Sequence, residues 1–487
     1  MFSKLFLIIF VSAGFVFPQN SNSLLNKVKN YHQSETLKHG QLSFTAKYVD
    51  DGKTIISYNG GQSITPASNL KLYTTAAALE ILGENYTYET KIFYSGKIDN
   101  SGILNGDIII IGGGDPTLGS DNFENYISTD SLLKMVVKEI SNKGIKQITG
   151  AVVADNSRYD RISIPDKWYW EDIGNYYAAQ TSGLSINDNY YKIFFKPGYS
   201  VGDYAEFLRI EPEVPGLDFY NNMKTGARGS GDNGYVYNSP GNYYAELRGT
   251  IPQGYKEFFI KGALPDPALL VVQLLDKYLK ESGIKTDGRP EPLDEKINVD
   301  ESKLITRITS PPLKEIVKIV NKKSFNFYAE MLLKELGYRV LGEGSYEKGI
   351  QSIKEFLEEK EIDTGGFKIY DGSGLSRSNV VTTDMTTELL LKMKKSKSYN
   401  AFFSSLAVAG NSKDIGTLKS FGKDTILENN VFAKSGFITG VRGYSGYLKT
   451  QSGKLVAFSI IANNYNIKIN KTAEILKQIL IELASSN

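Results

Sequence analysis

The 487-residue sequence contains no cysteine, only two histidines (His32 and His39), and an almost cancelled net charge of +2. Without cysteine there are no disulfides, so an exported chain of this composition must be held by its hydrophobic core. A lipid-anchored form, which needs a cysteine at its cleavage site, is excluded as well. The scarcity of histidine restricts the chemistry. A Ser-His-Asp triad would have to recruit one of two histidines that lie close together ahead of the first serine motif, and a zinc site would need mainly carboxylates. Neither a metal nor a cofactor is expected. With 56 basic and 54 acidic residues, nothing points to nucleic acid or to an anionic membrane surface as partner. Long apolar runs are also missing, apart from Leu5 to Phe17 behind Lys4. That run is short for a membrane span and reads as a signal peptide over residues 1–19, so export is expected.

What is present begins with Pro66-Ala67-Ser68-Asn69-Leu70-Lys71, leading into the Ala- and Leu-rich run Leu72 to Leu82. Helix propensity and apolar spacing place Ser68 at a helix N-terminus, with Lys71 one turn along on the same face. This pairs a nucleophile with a base, provided the lysine is neutral. An ordinary lysine with a pKa of about 10.4 is protonated at neutral pH. Burial or a neighbouring cation must lower it by roughly three units, about 4 kcal/mol, before it can activate a serine. A second lysine is therefore part of the requirement. The spacing alone is not diagnostic, since Ser131 and Lys134, and Ser420 and Lys423, share it.

Alternation predicts strands at Leu42 to Val49 and Thr54 to Asn59, then strands at Thr87 to Tyr94, Gly106 to Ile111 and Ile148 to Asp155, with a helix from Ser131 to Lys143. Gly112-Gly113-Gly114 reads as a tight turn, because it lacks the lysine of a phosphate loop. From Trp168 to Thr250 the composition shifts to Tyr, Asn, Gly and Pro, which suggests a β-rich insertion with long loops. Helices follow at Ala268 to Ser282, Pro311 to Asn321 and Asn326 to Leu336. Three strand-like runs between Val431 and Asn463, closed by a helix from Asn470 to Ala484, predict an antiparallel sheet with a packed terminal helix.

A serine-lysine acyl-transfer site uses two further motifs, Ser-x-Asn and Lys-Thr/Ser-Gly. The second serine relays protons, its Asn orients the substrate amide, and the third motif's lysine holds negative charge and depresses the first lysine's pKa. Two sets compete. Upstream stand Ser120-Asp121-Asn122 and Lys224-Thr225-Gly226; downstream stand Ser324-Phe325-Asn326 and Lys434-Ser435-Gly436. Context favours the downstream set. Lys434 lies in a strand-like run and Ser324 links two helices, whereas Ser120 sits in a turn and Lys224 precedes a glycine-rich stretch read as a flexible loop. A further match, Ser185-Ile186-Asn187, has no partner that improves it.

With these motifs the chain resembles the class C low-molecular-mass penicillin-binding proteins, the D-alanyl-D-alanine carboxypeptidase/endopeptidase family. The likeness also covers Gly112 to Pro116, Val153-Ala154-Asp155, Val320 to Glu330, Asp371 to Arg377, Val408-Ala409-Gly410 and Ser445-Gly446-Tyr447. It implies an α/β (α+β) penicillin-binding transpeptidase/β-lactamase-like domain formed by residues 20–85 and 290–487. Two units would be inserted in it, an α/β one of residues 86–167 and 251–289 and a β-rich one of residues 168–250. It further implies a bacterial periplasmic enzyme acting on peptidoglycan peptides and acylated by β-lactams. Ser68, Lys71, Ser324, Asn326 and Lys434 would be catalytic, and Ser435, Gly436, Phe437 and Asp155 would bind substrate, Asp155 through the free amine of a diamino acid. Phe325 and Ser435 depart from the usual polar residue and Thr. A β-lactamase or esterase of the same superfamily and a non-catalytic peptidoglycan-binding protein are the alternatives; the Glu-x-x-Leu-Asn motif of class A β-lactamases is absent.

Overall fold

The computed structural model describes residues 19–124, 127–465 and 469–486. The expected signal peptide, apart from Gln19, lies outside them. The two ends of the chain build one sheet. Six antiparallel strands run in the order Ala407–Val408, Val431–Ile438, Val441–Lys449, Leu455–Asn463, Gln41–Tyr48 and Thr54–Tyr58. The strand nearest the N-terminus pairs along its whole length with the last strand, from Gln41 opposite Asn463 to Tyr48 opposite Val456. Side chains alternate across it as period-2 geometry requires. Leu42, Phe44 and Ala46 join Leu24, Val28, Leu476 and Leu480 from the two terminal helices, Gln19–His32 and Ile469–Ala484. Ser43 and Thr45 point the other way, their hydroxyls 2.7 and 3.0 Å from that of Thr383 on the helix Thr383–Lys394. Covered on both faces, the strand Leu455–Asn463 is buried almost throughout.

Beside this sheet the helices Lys71–Ile81, Leu313–Lys322, Asn326–Leu341 and Tyr346–Glu359 share one core. The last two cross closely, because a Cβ on Gly349 would stand 2.2 Å from the Leu333 carbonyl oxygen and one on Gly337 would stand 2.7 Å from the Gly349 nitrogen. Glycine at both positions lets the helix that carries Asn326 seat fully against its neighbour.

Residues between these two groups of elements form sheets of their own. One has the order Glu291–Leu293, Val152–Asp155, Ile108–Ile111, Glu89–Tyr94, Leu304–Thr309, packed with the helices Thr129–Asn142 and Pro267–Glu281. The boundary expected at residue 289 therefore falls short, since Glu291–Leu293 and Leu304–Thr309 are hydrogen-bonded into this sheet. The boundary at 250 moves too, because Phe258–Ala263 pairs with Tyr190–Lys196. The single strand expected over Ile148 to Asp155 is two, Gln147–Ile148 and Val152–Asp155, parted at Gly150, where a Cβ would meet Asp107 Oδ1 at 2.1 Å. Lys224–Gly226, ahead of the stretch expected as a flexible loop, is a short strand parallel to Tyr244–Pro252.

The inserted sheets are tied to the helices near the second serine motif. The Tyr328 hydroxyl lies 2.8 Å from Ser120 Oγ and 2.7 Å from Asp188 Oδ1. Burial pushes the Asp188 carboxyl up to about 6.

Gly349→Ala should cost about 1–3 kcal/mol through overpacking of a close helix crossing. The expected outcome is a lower thermal-unfolding midpoint by calorimetry, with the fold retained by circular dichroism.

Candidate active site

Ser68 is held by a turn that the sequence makes tight. Ala67 takes φ 46° and the next residues form one 3₁₀ turn, Ala67–Leu70, before the α-helix begins at Lys71. The tighter helix brings positions three apart into register, so Lys71 Nζ reaches Ser68 Oγ at 2.9 Å. Asn69 beneath them donates to the Pro66 carbonyl at 2.9 Å. It fits only because Gly436 and Gly443 face it, where a Cβ would stand 2.3 and 2.7 Å from its side-chain nitrogen. The turn is thereby packed directly onto the strand Val431–Ile438.

Lys71 is fully buried and surrounded by acceptors. Besides Ser68, it donates to Asn326 Oδ1 at 2.6 Å and to the Ser373 carbonyl at 2.6 Å. Asn326 opens the helix Asn326–Leu341 and its side-chain nitrogen donates to the Tyr177 carbonyl at 2.7 Å. Ser324, at φ 59° between two helices, lies across from it. Lys434 Nζ donates to Ser324 Oγ at 2.8 Å and to the Ser435 carbonyl at 2.7 Å. Left-handed backbone at a non-glycine residue costs on the order of 1–3 kcal/mol and concentrates at functional sites; here it occurs at Ala67, next to one reactive hydroxyl, and at Ser324, which bears the other. The site thus holds two serine-lysine pairs, Lys71 with Ser68 and Lys434 with Ser324, and Asn326 bonds to the first of them.

Burial dominates the electrostatics. It lowers the Lys71 ammonium far below the ordinary lysine range, while the nearby carboxylates of Glu330 and Asp371 oppose it. Burial likewise raises Glu330, with the Asp371 charge adding to the rise. Lys434 is depressed by burial first and then by the cations of Lys71 and Arg442. The expectation that the second lysine depresses the first is therefore refined: the desolvated pocket acts most strongly on Lys71, and the repulsion registers at Lys434.

Glu330 and Asp371 also build the loop that supplies the third acceptor. Glu330 accepts from the N–H groups of Gly372 and Ser373, both at 2.8 Å. Asp371 accepts from the N–H groups of Gly374 and Ser376, from Asn379 Nδ2 at 2.7 Å, and from Trp168 Nε1 at 2.8 Å. These residues went unassigned in the sequence reading. A signal for Glu330 exists, since it stands four positions after Asn326 on one helix face. Trp168 and Tyr177 leave none, as they arrive from a distant insertion.

The substrate-binding candidates divide. Ser435 is buried, its hydroxyl 2.7 Å from that of Thr417. Phe437 has an exposed ring. Its backbone N–H faces the open edge of the strand, because Val431 turns its carbonyl to that side to accept from Ala409 and alternate residues follow. Asp155 is buried, with Oδ1 accepting from the Ser157 N–H and hydroxyl and Oδ2 from the Ile297 N–H. A carboxylate so engaged clamps a strand end. The upstream motifs stay apart from Ser68: Ser120 is buried against Tyr328, and Lys224 is exposed, 5.5 Å above the Tyr204 ring. Phe325, the unusual second-motif residue, packs edge-on against Tyr328 at 4.7 Å.

Residues 24–484 match the model of the D-Ala-D-Ala carboxypeptidase 3 (S13) family. The chain belongs to this family. It is 30% identical to the D-alanyl-D-alanine carboxypeptidase of Actinomadura sp. (strain R39) over 421 residues, 85% of this chain and 76% of that one. It is 26% identical to the D-alanyl-D-alanine carboxypeptidase DacB of Haemophilus influenzae over 440 residues, 87% and 86% of the two chains. The fold matches the crystal structure of penicillin binding protein 4 (dacB) from the same organism, with a TM-score of 0.80 at 24% identity, over 96% of this chain and all of that one. The α/β penicillin-binding fold expected from the motifs is the fold observed, and among the described residues no cluster suited to a metal ion is present.

In this S13 chain the indole N–H of Trp168 helps fix Asp371, and with it the loop that supplies the Ser373 carbonyl to Lys71. Trp168→Phe leaves a buried carboxylate one donor short, a loss of about 1–3 kcal/mol. A several-fold slower reaction of Ser68 with a labelled penicillin is expected, with unchanged far-ultraviolet circular dichroism.

Proposed function

We propose that this protein is a serine D-alanyl-D-alanine carboxypeptidase/endopeptidase that hydrolyses peptidoglycan stem peptides and cross-links through an acyl-enzyme on Ser68. The observation that carries this reading is the pair of contacts Lys71 Nζ to Ser68 Oγ and Lys434 Nζ to Ser324 Oγ, with Asn326 on Lys71. Neutral Lys71 takes the Ser68 proton as Oγ attacks the carbonyl between two D-residues. The oxyanion is held by the backbone N–H groups of Ser68 and Phe437, which need no reorientation during the reaction. Ser324 passes a proton to the departing amine, the C–N bond breaks, and water later hydrolyses the ester. Lys434 and Ser435 hold the terminal carboxylate of the substrate, with Gly436 giving the strand its close approach to the Ser68 turn, and Asn326 binds the peptide amide. β-Lactams, whose strained amide mimics the same bond, acylate Ser68.

The family assignment and the full Ser68, Lys71, Ser324, Asn326 and Lys434 set support a bacterial enzyme exported to the periplasm, with residues 1–19 as its leader. Among the described residues no helix is long and apolar enough to cross a membrane. The strand pairing supports a catalytic unit of residues 20–85 plus the chain from Pro311 onward, with the remainder inserted.

Incubation with labelled penicillin should give one covalent adduct at Ser68 by peptide mass spectrometry and none in Ser68→Ala. Release of D-alanine from a D-Ala-D-Ala pentapeptide should stop in both Ser68→Ala and Lys71→Arg. Because only the neutral lysine accepts the proton and burial lowers its pKa, the acylation rate should rise with pH along a limb well below that of an ordinary lysine, about 10.4. A stopped-flow pH series reads this directly.

A further inference from the structure

The upstream motif Ser120-Asp121-Asn122 takes no part in the reacting groups, yet it lies against the second serine motif in a closed circuit of hydrogen bonds. The Asn122 N–H donates to Ser120 Oγ at 3.1 Å, and the Asn122 side-chain nitrogen donates to Asp188 Oδ2 at 2.9 Å. The Tyr328 hydroxyl stands 2.8 Å from Ser120 Oγ and 2.7 Å from Asp188 Oδ1. A carboxylate is the stronger acceptor, so the hydroxyl proton goes to Asp188 and the Ser120 hydroxyl is free to donate to the Tyr328 oxygen. Asp188 is buried and is delivered by a turn in which Asn187, Asp188 and Asn189 all take φ 53°. Its donors are neutral groups from two different parts of the chain, so the carboxylate is tolerated only while both stay in place.

This circuit holds the chain on both sides of Ser324. Before it, Lys323 Nζ donates to Asn122 Oδ1 at 2.9 Å. After it, Phe325 lies edge-on to the Tyr328 ring at 4.7 Å, and Phe123, next to Asn122, stacks on that ring at 6.3 Å. Between these anchors Ser324 has φ 59°, a left-handed backbone that costs on the order of 1–3 kcal/mol. Such a conformation persists where its surroundings fix it, and here both flanks are fixed to the inserted part of the chain. Phe325, which departs from the usual polar residue of the motif, supplies one of the two anchors.

We infer that Asn122, Asp188 and Tyr328 are positioning residues that hold Ser324 in its strained conformation, with its hydroxyl aimed at the departing amine. The inference rests on the acyl-enzyme reading above and concerns one step of it, the transfer of a proton from Ser324 Oγ to the amine nitrogen as the C–N bond breaks. Ser324 Oγ accepts from Lys434 Nζ, which leaves its own proton to give. Ser68 is held separately, by its turn against the strand Val431–Ile438. The circuit therefore bears on protonation of the leaving group and leaves attack by Ser68 intact.

The test compares two substrates of the full chain, a D-Ala-D-Ala pentapeptide and its thioester analogue with 2-mercaptopropionate in place of the last D-alanine. An amine needs a proton to leave, whereas a thiolate, whose conjugate acid has a pKa of about 8.5 in cysteine, leaves without one. In Tyr328→Phe, and independently in Asn122→Ala, kcat/KM for the pentapeptide should fall about tenfold, roughly 1.4 kcal/mol on the barrier. Thioester cleavage should stay within about twofold of the wild type, a change of less than roughly 0.5 kcal/mol. Ser324→Ala should show the same selectivity in stronger form. Equal losses on both substrates, as a general disturbance of the fold would give, or no loss on either, would overturn the positioning role. A Ser324→Ala variant that slows both substrates alike would overturn proton delivery by Ser324, and the inference with it, while a penicillin adduct on Ser68 would leave the acyl-enzyme reading standing. A wild type that cleaves neither substrate and forms no penicillin adduct would overturn that reading itself.

Discussion

The active centre depends on one buried amine. Lys71 has no access to water, so each of its polar contacts must be found within the protein. Ser68, Asn326 and Ser373 supply them, and each comes from a different part of the chain. That requirement fixes much else. The Ser68 turn must be 3₁₀ and not α-helical, the helix bearing Asn326 must sit at one depth, and the Ser373 loop must present its carbonyl inward. Glu330 and Asp371 meet the last condition by binding four N–H groups of that loop between them. Their charges also oppose the effect of burial on Lys71. The same two carboxylates thus position the base and limit how far its proton affinity falls.

The second lysine answers a different need. Lys434 is as buried as Lys71 and feels its charge, so two protonated ammonium groups in one pocket are mutually unfavourable. One proton fewer in the resting site relieves that repulsion and leaves a base poised to accept. Ser324 and Asn326 separate the two amines, one bonded to each. Each lysine is thereby bonded to a serine of its own, Lys71 to Ser68 and Lys434 to Ser324, and the Lys71 charge lowers the Lys434 ammonium.

Much of this was legible in the sequence where chemistry is local. The 3-residue spacing of Ser68 and Lys71, the helix flanks of Ser324 and the strand context of Lys434 each needed only neighbouring residues. The six-stranded sheet was visible in its C-terminal strands, whose β-rich runs stand between clear turns, and its first hairpin in the alternation from Leu42 to Asn59. What stayed hidden depended on distant pairing. Lys224–Gly226 is a strand only because Tyr244–Pro252 lies beside it, and its glycine-rich sequel pointed the other way. Asp155 ends a strand near the right kind of motif, yet its oxygens are claimed by Ser157 and Ile297, the second of them 142 residues away. Trp168 and Tyr177 belong to an insertion whose composition signals only loops and strands.

Those two insertion residues change how the inserted units relate to catalysis. Tyr177 gives its carbonyl to Asn326 and Trp168 its N–H to Asp371; with Lys71 on its oxygen and Tyr177 on its nitrogen, both carboxamide ends of Asn326 are occupied. An amide with both ends bound cannot flip, and its oxygen stays on Lys71. The inserted segment thus touches Asn326 through Tyr177 and the Ser373 loop through Trp168 and Asp371, and forms part of the wall around the reacting groups.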